Sequence, residues 1–233
     1  MKVSCKVHGS DREFKVAPRI VSYYNCTLFV LDRMKILSRT FLRTASVFIF
    51  IQEVDQMNFL PELSEVKKIA ATNKYNVVPV SCELLSDFTT PIETMKILKN
   101  VSTHCYMLES AWANDKWGRY TFLGFDPKME ITCIDGEIKA GNIRIKTDNP
   151  SDYLRQILAD YKSPRFSYLP SFTGGLVGYF SYDYLGYSEP AVRCKVEDTE
   201  DFKDVDLMLF DKVIAFDNVR QKLILIVNMP LQD

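Results

Sequence analysis

The feature that most constrains the fold is a pair of alternating runs on either side of a two-residue turn. In the segment MEITCIDGEIKAGNIRIKT (129–147), Asp135 and Gly136 separate two stretches in which apolar and polar residues alternate. A tight two-residue turn needs positive φ, which Asp-Gly tolerates, and alternation is typical of a half-buried strand. The segment therefore predicts an antiparallel hairpin.

Other stretches predict further strands. The runs VDLMLFDKVIAFD (205–217) and KLILIVNM (222–229) lie on either side of the turn NVRQ and predict two long paired strands. The run from Asn76 to Leu85 is also rich in strand-forming residues, and Pro79 within it indicates an edge strand or a strand start. Antiparallel hairpins thus account for much of the chain.

Three segments predict helices that are interspersed with these strands. In the second, Thr90 is the expected N-cap, Pro91 the first helical residue and Glu93 the capping-box residue, with an end near Lys99. The third starts at Asn149 and Pro150. The first and third show apolar faces at helical spacing, formed by Leu63, Val66, Ile69 and Ala70, and by Tyr153, Leu154, Ile157 and Leu158. The fold class is therefore α+β, with antiparallel hairpin-rich sheets and interspersed helices.

Composition excludes several kinds of partner. The net charge of −1 with mixed signs argues against nucleic acid as a ligand. The six cysteines contain no C-x-x-C pair and only His8 and His104 could join them, so we expect no zinc site. The cysteines are Cys5, Cys26, Cys82, Cys105, Cys133 and Cys194. Scattered thiols of this kind are typical of reduced, cytoplasmic proteins.

Residues 1–56 differ in character from residues 57–233. They carry nine basic and five acidic residues, whereas the remainder has an acidic excess. The apolar run ASVFIFI (45–51) is too short to span a bilayer and is not placed as a signal-peptide core. We expect an atypical extension, disordered or upstream of the true start, followed by one domain over 57–233 and no membrane association.

Most candidates for chemistry have a simpler structural explanation. The glycine-rich stretch 172–186 has G-G-x-x-G spacing, and aromatic residues after Gly178 take the place of a β-to-helix crossover, so it predicts a closely packed strand and not a phosphate loop. His104 precedes an apolar strand without a G-x-S-x-G elbow, which favours a structural histidine. Four carboxylates in or near a charged loop could form a cluster, but a solvated loop is favoured. They are Asp183, Glu189, Asp198 and Glu200.

One strand end offers a more specific arrangement. In YMLES (106–110), Glu109 and Ser110 end an apolar strand, and Arg119 opens the next one. Strand alternation places Met107 and Glu109 on one face and Leu108 and Ser110 on the other. A carboxylate and a hydroxyl can receive an ammonium group and an arginine can hold a carboxylate, which would suit an amino acid zwitterion. The alternative is a surface Glu109–Arg119 ion pair with Ser110 capping the turn.

Four ordered motifs then indicate a family. HCYMLES, WGRYTFLG, FTGGLVGYFSYD and DLMLFDKVIAFDN resemble the N-terminal half of anthranilate synthase component I over residues 57–230. The resemblance implies that Ser110, Glu109 and Leu108 line a feedback site for L-tryptophan, with Arg119 as a basic residue near the effector. Methionine stands at position 107, where relatives often have leucine.

The same resemblance implies the reaction and its partners. Family members convert chorismate and ammonia to anthranilate and pyruvate in a C-terminal chorismate-binding domain that uses Mg²⁺, and a glutamine amidotransferase subunit supplies the ammonia. We expect that domain to be absent here, so no residue is assigned to catalysis or to a metal, and the chain alone should be inactive. No cofactor is expected in this chain.

Three alternatives stay open at this point. Aminodeoxychorismate synthase component I, of the folate pathway, shares this architecture and some of the motifs. A non-catalytic amino acid-binding or assembly module would bind tryptophan by itself. A gene fragment without independent function would bind nothing.

Overall fold

A computed structural model describes residues 2–7, 10–15, 58–110, 118–192 and 202–231. The chain divides into two compact units, Met1–Gln56 and Met57–Asp233. In the first unit, strands β1 (Lys2–Val7) and β2 (Ser10–Lys15) form an antiparallel pair. The apolar run 45–51, Asp198 and Glu200 lie outside the described residues.

The second unit contains two antiparallel sheets with short helices between their strands, which confirms the predicted α+β class. The strands are β3 (Phe59–Leu60), β4 (Val77–Leu85), β5 (Cys105–Glu109), β6 (Tyr120–Phe125), β7 (Met129–Ile134), β8 (Glu137–Ala140), β9 (Ile143–Lys146), β10 (Gly175–Phe180), β11 (Val205–Phe210), β12 (Lys212–Asp217) and β13 (Lys222–Pro230). The helices are α1 (Leu63–Ala71), α2 (Pro91–Leu98), α3 (Pro150–Asp160) and α4 (Leu185–Ser188), with 3₁₀ turns at Tyr182–Tyr184 and Pro190–Val192.

The six-stranded sheet has the order β3-β4-β13-β12-β6-β5, and the five-stranded sheet has the order β10-β11-β7-β8-β9. Helix α3 covers the five-stranded sheet, where Leu154 and Ile157 pack in its core. Leu158, predicted to share that face, is 46% exposed. Helix α2 contacts β5 and β6, and the predicted cap is present because the Thr90 hydroxyl accepts the N–H of Glu93 at 3.2 Å.

The predicted hairpin at Asp135-Gly136 is confirmed. Both residues have positive φ, 48° and 75°, and β7 and β8 pair on either side of them. The second alternating run is divided once more, because Gly141 at φ 57° turns the chain between β8 and β9. The segment therefore forms three strands, and the second turn was missed.

The long run 205–217 forms two strands, where the sequence predicts one. Strand β11 pairs with β7 and β10 in the five-stranded sheet, whereas β12 pairs with β6 and β13 in the other. The chain passes from one sheet to the other at Asp211, whose carbonyl accepts the N–H of Asn228 at 2.8 Å. An alternating pattern does not record this crossing, because both strands bury apolar side chains.

Pro79 predicts an edge strand, and this prediction is wrong for β4 as a whole. At Pro79 itself, however, the strand is paired on one side only. Strand β4 lies inside the sheet, between β3 and β13. However, β3 reaches β4 only at Ser81 and Cys82. Pro79 therefore has a strand partner, Asn228, on one side only. The N–H of Asn228 points away from Pro79, to Asp211, so the missing N–H of Pro79 faces the side without a partner and costs no ladder hydrogen bond.

The glycine-rich stretch forms strand β10, as predicted. Gly178 lies so close to β11 that an added Cβ would be 2.0 Å from the backbone oxygen of Asp206. The strand ends earlier than its alternation indicates, because Ser181 caps a 3₁₀ turn by accepting the N–H of Tyr184 at 3.2 Å. Gly178 therefore permits the close packing of β10 against β11.

Candidate functional site

The candidate site is at the end of β5, the outer strand of the six-stranded sheet. The ladder with β6 pairs Leu108 with Phe122 and ends with Glu109 opposite Thr121. Ser110 follows this last pair and is exposed. Residues 111–117 lie outside the described part of the chain, which resumes at Gly118.

The two faces of the ladder receive different residues. Alternation places Glu109 on the face of Thr121, which is completely buried, and Leu108 on the face of Phe122. Leu108 is nevertheless 47% exposed, so its apolar surface is open at the strand end. The predicted separation of Met107 and Glu109 from Leu108 is confirmed. A zwitterion in contact with both Leu108 and Glu109 would lie across the end of β5.

Arg119 is paired with a residue 98 positions away. Its Nε donates to Oδ1 of Asp217 at 3.1 Å and its Nη2 donates to Oδ2 at 2.6 Å. The alternative of a Glu109–Arg119 ion pair is therefore wrong, because the guanidinium uses this fork on another carboxylate. Among the described residues, no hydrogen-bond partner reaches Nη1 of Arg119.

The same guanidinium lies 4.8 Å from the centroid of the Tyr120 ring. Tyr120 and Phe122 pack against the buried cluster formed by β12 and β13, which is on the Leu108 face of the ladder. The Arg119 guanidinium therefore lies beside a ring on the Leu108 face of the ladder, whereas alternation places Glu109 on the other face.

Charge and burial around Asp217 act in opposite directions. The side chain of Asp217 is completely buried, and burial alone would raise the pKa of its carboxyl. The hydrogen bonds from Arg119 and from the N–H groups of Arg220 and Val219, together with the Arg119 charge, outweigh burial and lower this pKa. Asp217 is therefore a buried carboxylate that carries a charge at neutral pH.

Aromatic side chains continue the Leu108 face. The Phe122 ring contacts Phe172 edge-on with centroids 5.5 Å apart, and Tyr120 lies 5.7 Å from Phe122. Tyr106 also lies on this face, and its ring contacts Phe210 edge-on with the ring centroids 4.7 Å apart. An exposed leucine beside this cluster of edge-on and tilted rings offers apolar contact area for an aromatic ligand.

The other candidates do not form a reactive site. His104 Nε2 lies 2.9 Å from Oε1 of Glu130, a pairing expected of a structural histidine. Burial raises the pKa of the Cys82 thiol to about 12, which suppresses its thiolate. Within the described residues, no three His, Cys, Asp or Glu side chains are grouped to hold a metal ion. Asp183 and Glu189, the described members of the four carboxylates that could have formed a cluster, belong to no such group.

Asp217 is the residue that sequence reasoning missed. It was predicted only as the end of a strand before the turn NVRQ. An aspartate at a strand end that precedes a turn is a common turn residue, so its pairing with Arg119 leaves no local signal.

Two relatives with the name anthranilate synthase component 1 match most of this chain. The protein of Acetivibrio thermocellus is 33% identical over 175 residues, which cover 73% of this chain and 35% of the relative. That of Acinetobacter calcoaceticus is 34% identical over 186 residues, 76% of this chain and 36% of the relative. No family model matches. The chain belongs to the anthranilate synthase component 1 family.

The match is to part of each relative, since the chain spans about a third of the length of either. A crystal structure of anthranilate synthase component I from Streptococcus pneumoniae TIGR4 is 26% identical, with 64% of this chain and 31% of that chain covered and a TM-score of 0.40. The family assignment therefore comes from the sequences. No described helix is long and apolar enough to cross a membrane.

Proposed function

We propose that this chain is the L-tryptophan-binding, regulatory part of an anthranilate synthase component 1. The observation that carries the proposal is the end of β5, where Leu108, Glu109 and Ser110 are exposed, while Arg119, just before the neighbouring strand β6, has its guanidinium fixed by Asp217. Family membership supplies the ligand class. In this proposal, tryptophan binding favours a conformation that uses chorismate poorly.

Each part of L-tryptophan has a counterpart in this arrangement. The ammonium group would contact the Glu109 carboxylate and the Ser110 hydroxyl, the carboxylate would contact Nη1 of Arg119, and the indole would cover Leu108. Because Glu109 and Leu108 lie on opposite faces, the amino acid would straddle the strand end.

The proposal extends to the whole enzyme. That enzyme would convert chorismate and ammonia to anthranilate and pyruvate in the cytoplasm, and a glutamine amidotransferase partner would supply the ammonia. The described residues do not fit the Mg²⁺ that such a reaction uses, because no three His, Cys, Asp or Glu side chains among them are grouped to hold a metal ion. We therefore assign no catalytic step to them and expect no anthranilate fluorescence from the isolated chain with chorismate and ammonium.

Isothermal titration calorimetry on the 233-residue chain tests the binding claim. We expect saturable binding of L-tryptophan that is lost in Ser110→Phe, because the larger side chain fills the space beside Glu109. Ser188→Phe, at an exposed serine that ends α4, is the matched control and should bind as the unmodified chain does. Absence of binding by the unmodified chain would overturn the proposal.

A further inference from the structure

Asp217 makes more hydrogen bonds than closing a turn requires. Its carboxylate accepts two hydrogen bonds from Arg119, one on each oxygen. In addition, Oδ1 accepts the backbone N–H of Val219 at 3.2 Å and that of Arg220 at 3.1 Å. The two backbone bonds close the β12–β13 turn, and a neutral asparagine could accept them. The carboxylate is therefore needed for the guanidinium and not for the turn.

Burying such a carboxylate is costly. The Asp217 side chain is 0% exposed while that of Arg119 is 37% exposed, so one partner is fixed in the sheet and the other reaches the surface. A buried ion pair often adds little to stability compared with apolar residues of similar volume. A fixed charge that holds an exposed guanidinium does, however, determine where that guanidinium lies.

Two contacts restrict the Arg119 side chain. The fork to Asp217 sets the plane of the guanidinium, and the Tyr120 ring lies 4.8 Å from its central carbon. Arg119 precedes Thr121 by two positions, which is about 7 Å of extended chain. Thr121 is the strand partner of Glu109. The fork occupies Nε and Nη2, so Nη1 remains for a ligand at this end of the ladder.

We propose that Asp217 is a positioning residue for effector recognition: it holds Arg119 so that Nη1 receives the α-carboxylate of an amino acid bound at the end of β5. This inference rests on the proposed function and adds a residue to it. Asp217 does not touch the ligand and acts through Arg119.

The test compares L-tryptophan with L-tryptophanamide, which keeps the ammonium group and indole but lacks the carboxylate. Calorimetry on the full chain gives the ratio of the two affinities. We expect the unmodified chain to prefer L-tryptophan by about tenfold or more, as a charge-assisted hydrogen bond supplies. In Asp217→Asn that preference should fall to about one, with amide binding unchanged, since only carboxylate recognition depends on the fork.

Glu83→Gln is the matched control. Glu83 pairs with Arg220 at 3.2 Å and with Lys222 in the same sheet, but not with Arg119, so its loss should leave the ratio unchanged. Arg119→Lys keeps the charge without a planar fork and provides a second route if Asp217→Asn fails to fold. It should also lose the preference.

The outcomes separate the two proposals. An affinity ratio that stays at the unmodified value in Asp217→Asn, or in Arg119→Lys if the former does not fold, overturns the positioning role and leaves tryptophan binding intact. Equal weakening of both ligands by Asp217→Asn also overturns it, since that is the effect of general damage to the strand end. Absence of L-tryptophan binding by the unmodified chain overturns both.

Discussion

The ring of Tyr106 lies directly against the backbone of Gly124, its partner across the β5–β6 ladder. A Cβ added at Gly124 would be 2.0 Å from a ring carbon of Tyr106. The ring cannot easily move away, because Phe172 and Phe210 contact it edge-on. Gly124 thus makes room for the aromatic face on which Leu108 lies.

Gly124→Ala should therefore destabilise the domain by about 1–3 kcal/mol, the usual cost of overpacking. The free energy of unfolding in urea measures the change. In a Tyr106→Leu background the same substitution should cost less, because the smaller side chain can give way. Equal costs in both backgrounds would show that the ring contact is not the cause.

The close approach of β10 to β11 gives a second prediction. Gly178→Ala places a methyl group against the Asp206 backbone, whereas an added Cβ at Gly175 meets no atom within 4 Å. Both glycines have unfavourable φ for alanine, 155° and 136°, so Gly175→Ala is the matched control. We expect Gly178→Ala to lower the urea midpoint further. Equal midpoints would argue against close strand packing at Gly178.

Tyr187 fixes the segment after β10. Its hydroxyl donates to Oδ2 of Asp204 at 2.6 Å, and this carboxylate oxygen also accepts the backbone N–H of Asp135 at 2.8 Å. Tyr187→Phe should lower the free energy of unfolding by about 1.5–3 kcal/mol, as expected for a hydrogen bond to a charged group. Tyr182→Phe is the control, since Tyr182 is 84% exposed, and it should have no effect. A stability loss of equal size in both variants would remove this explanation.

The lowered pKa of Asp217 predicts an acid-sensitive contribution to stability. A carboxyl with a lower pKa in the folded state stabilises the fold above its unfolded pKa of about 3.9. This stabilisation is lost as the pH falls from there through the folded pKa. Unfolding free energies between pH 7 and pH 2.5 should thus decline less steeply for Asp217→Asn than for the unmodified chain. An unchanged acid slope would contradict the assigned shift.

Local signals in the sequence predicted local structure well. The Thr90 cap and the Asp135-Gly136 turn each involve residues within three positions of one another, and both are confirmed. The crossing between sheets at Asp211 was missed because the alternation of buried residues continues through it. Periodicity reports which residues are buried and does not report the sheet to which they belong.

At the candidate site, too, the local features could be predicted from the sequence and the long-range pairing could not. The strand end at Glu109 and the alternation of Leu108 with Glu109 follow from spacing, whereas the role of these residues came from resemblance. The partner of Arg119 could not be predicted, because Asp217 is 98 residues distant and several carboxylates were equally available in the sequence. Such a pairing becomes visible only when the register of β6 and β12 is known.

Binding of L-tryptophan at the end of β5 can be followed residue by residue through the backbone amide chemical shifts of the isotopically labelled chain. On titration with L-tryptophan we expect the largest saturable changes at Leu108, Glu109, Ser110 and Arg119, with Glu137–Lys146 of the other sheet unaffected. Unchanged shifts at Leu108–Ser110 under saturating L-tryptophan would show that the amino acid does not bind at this strand end.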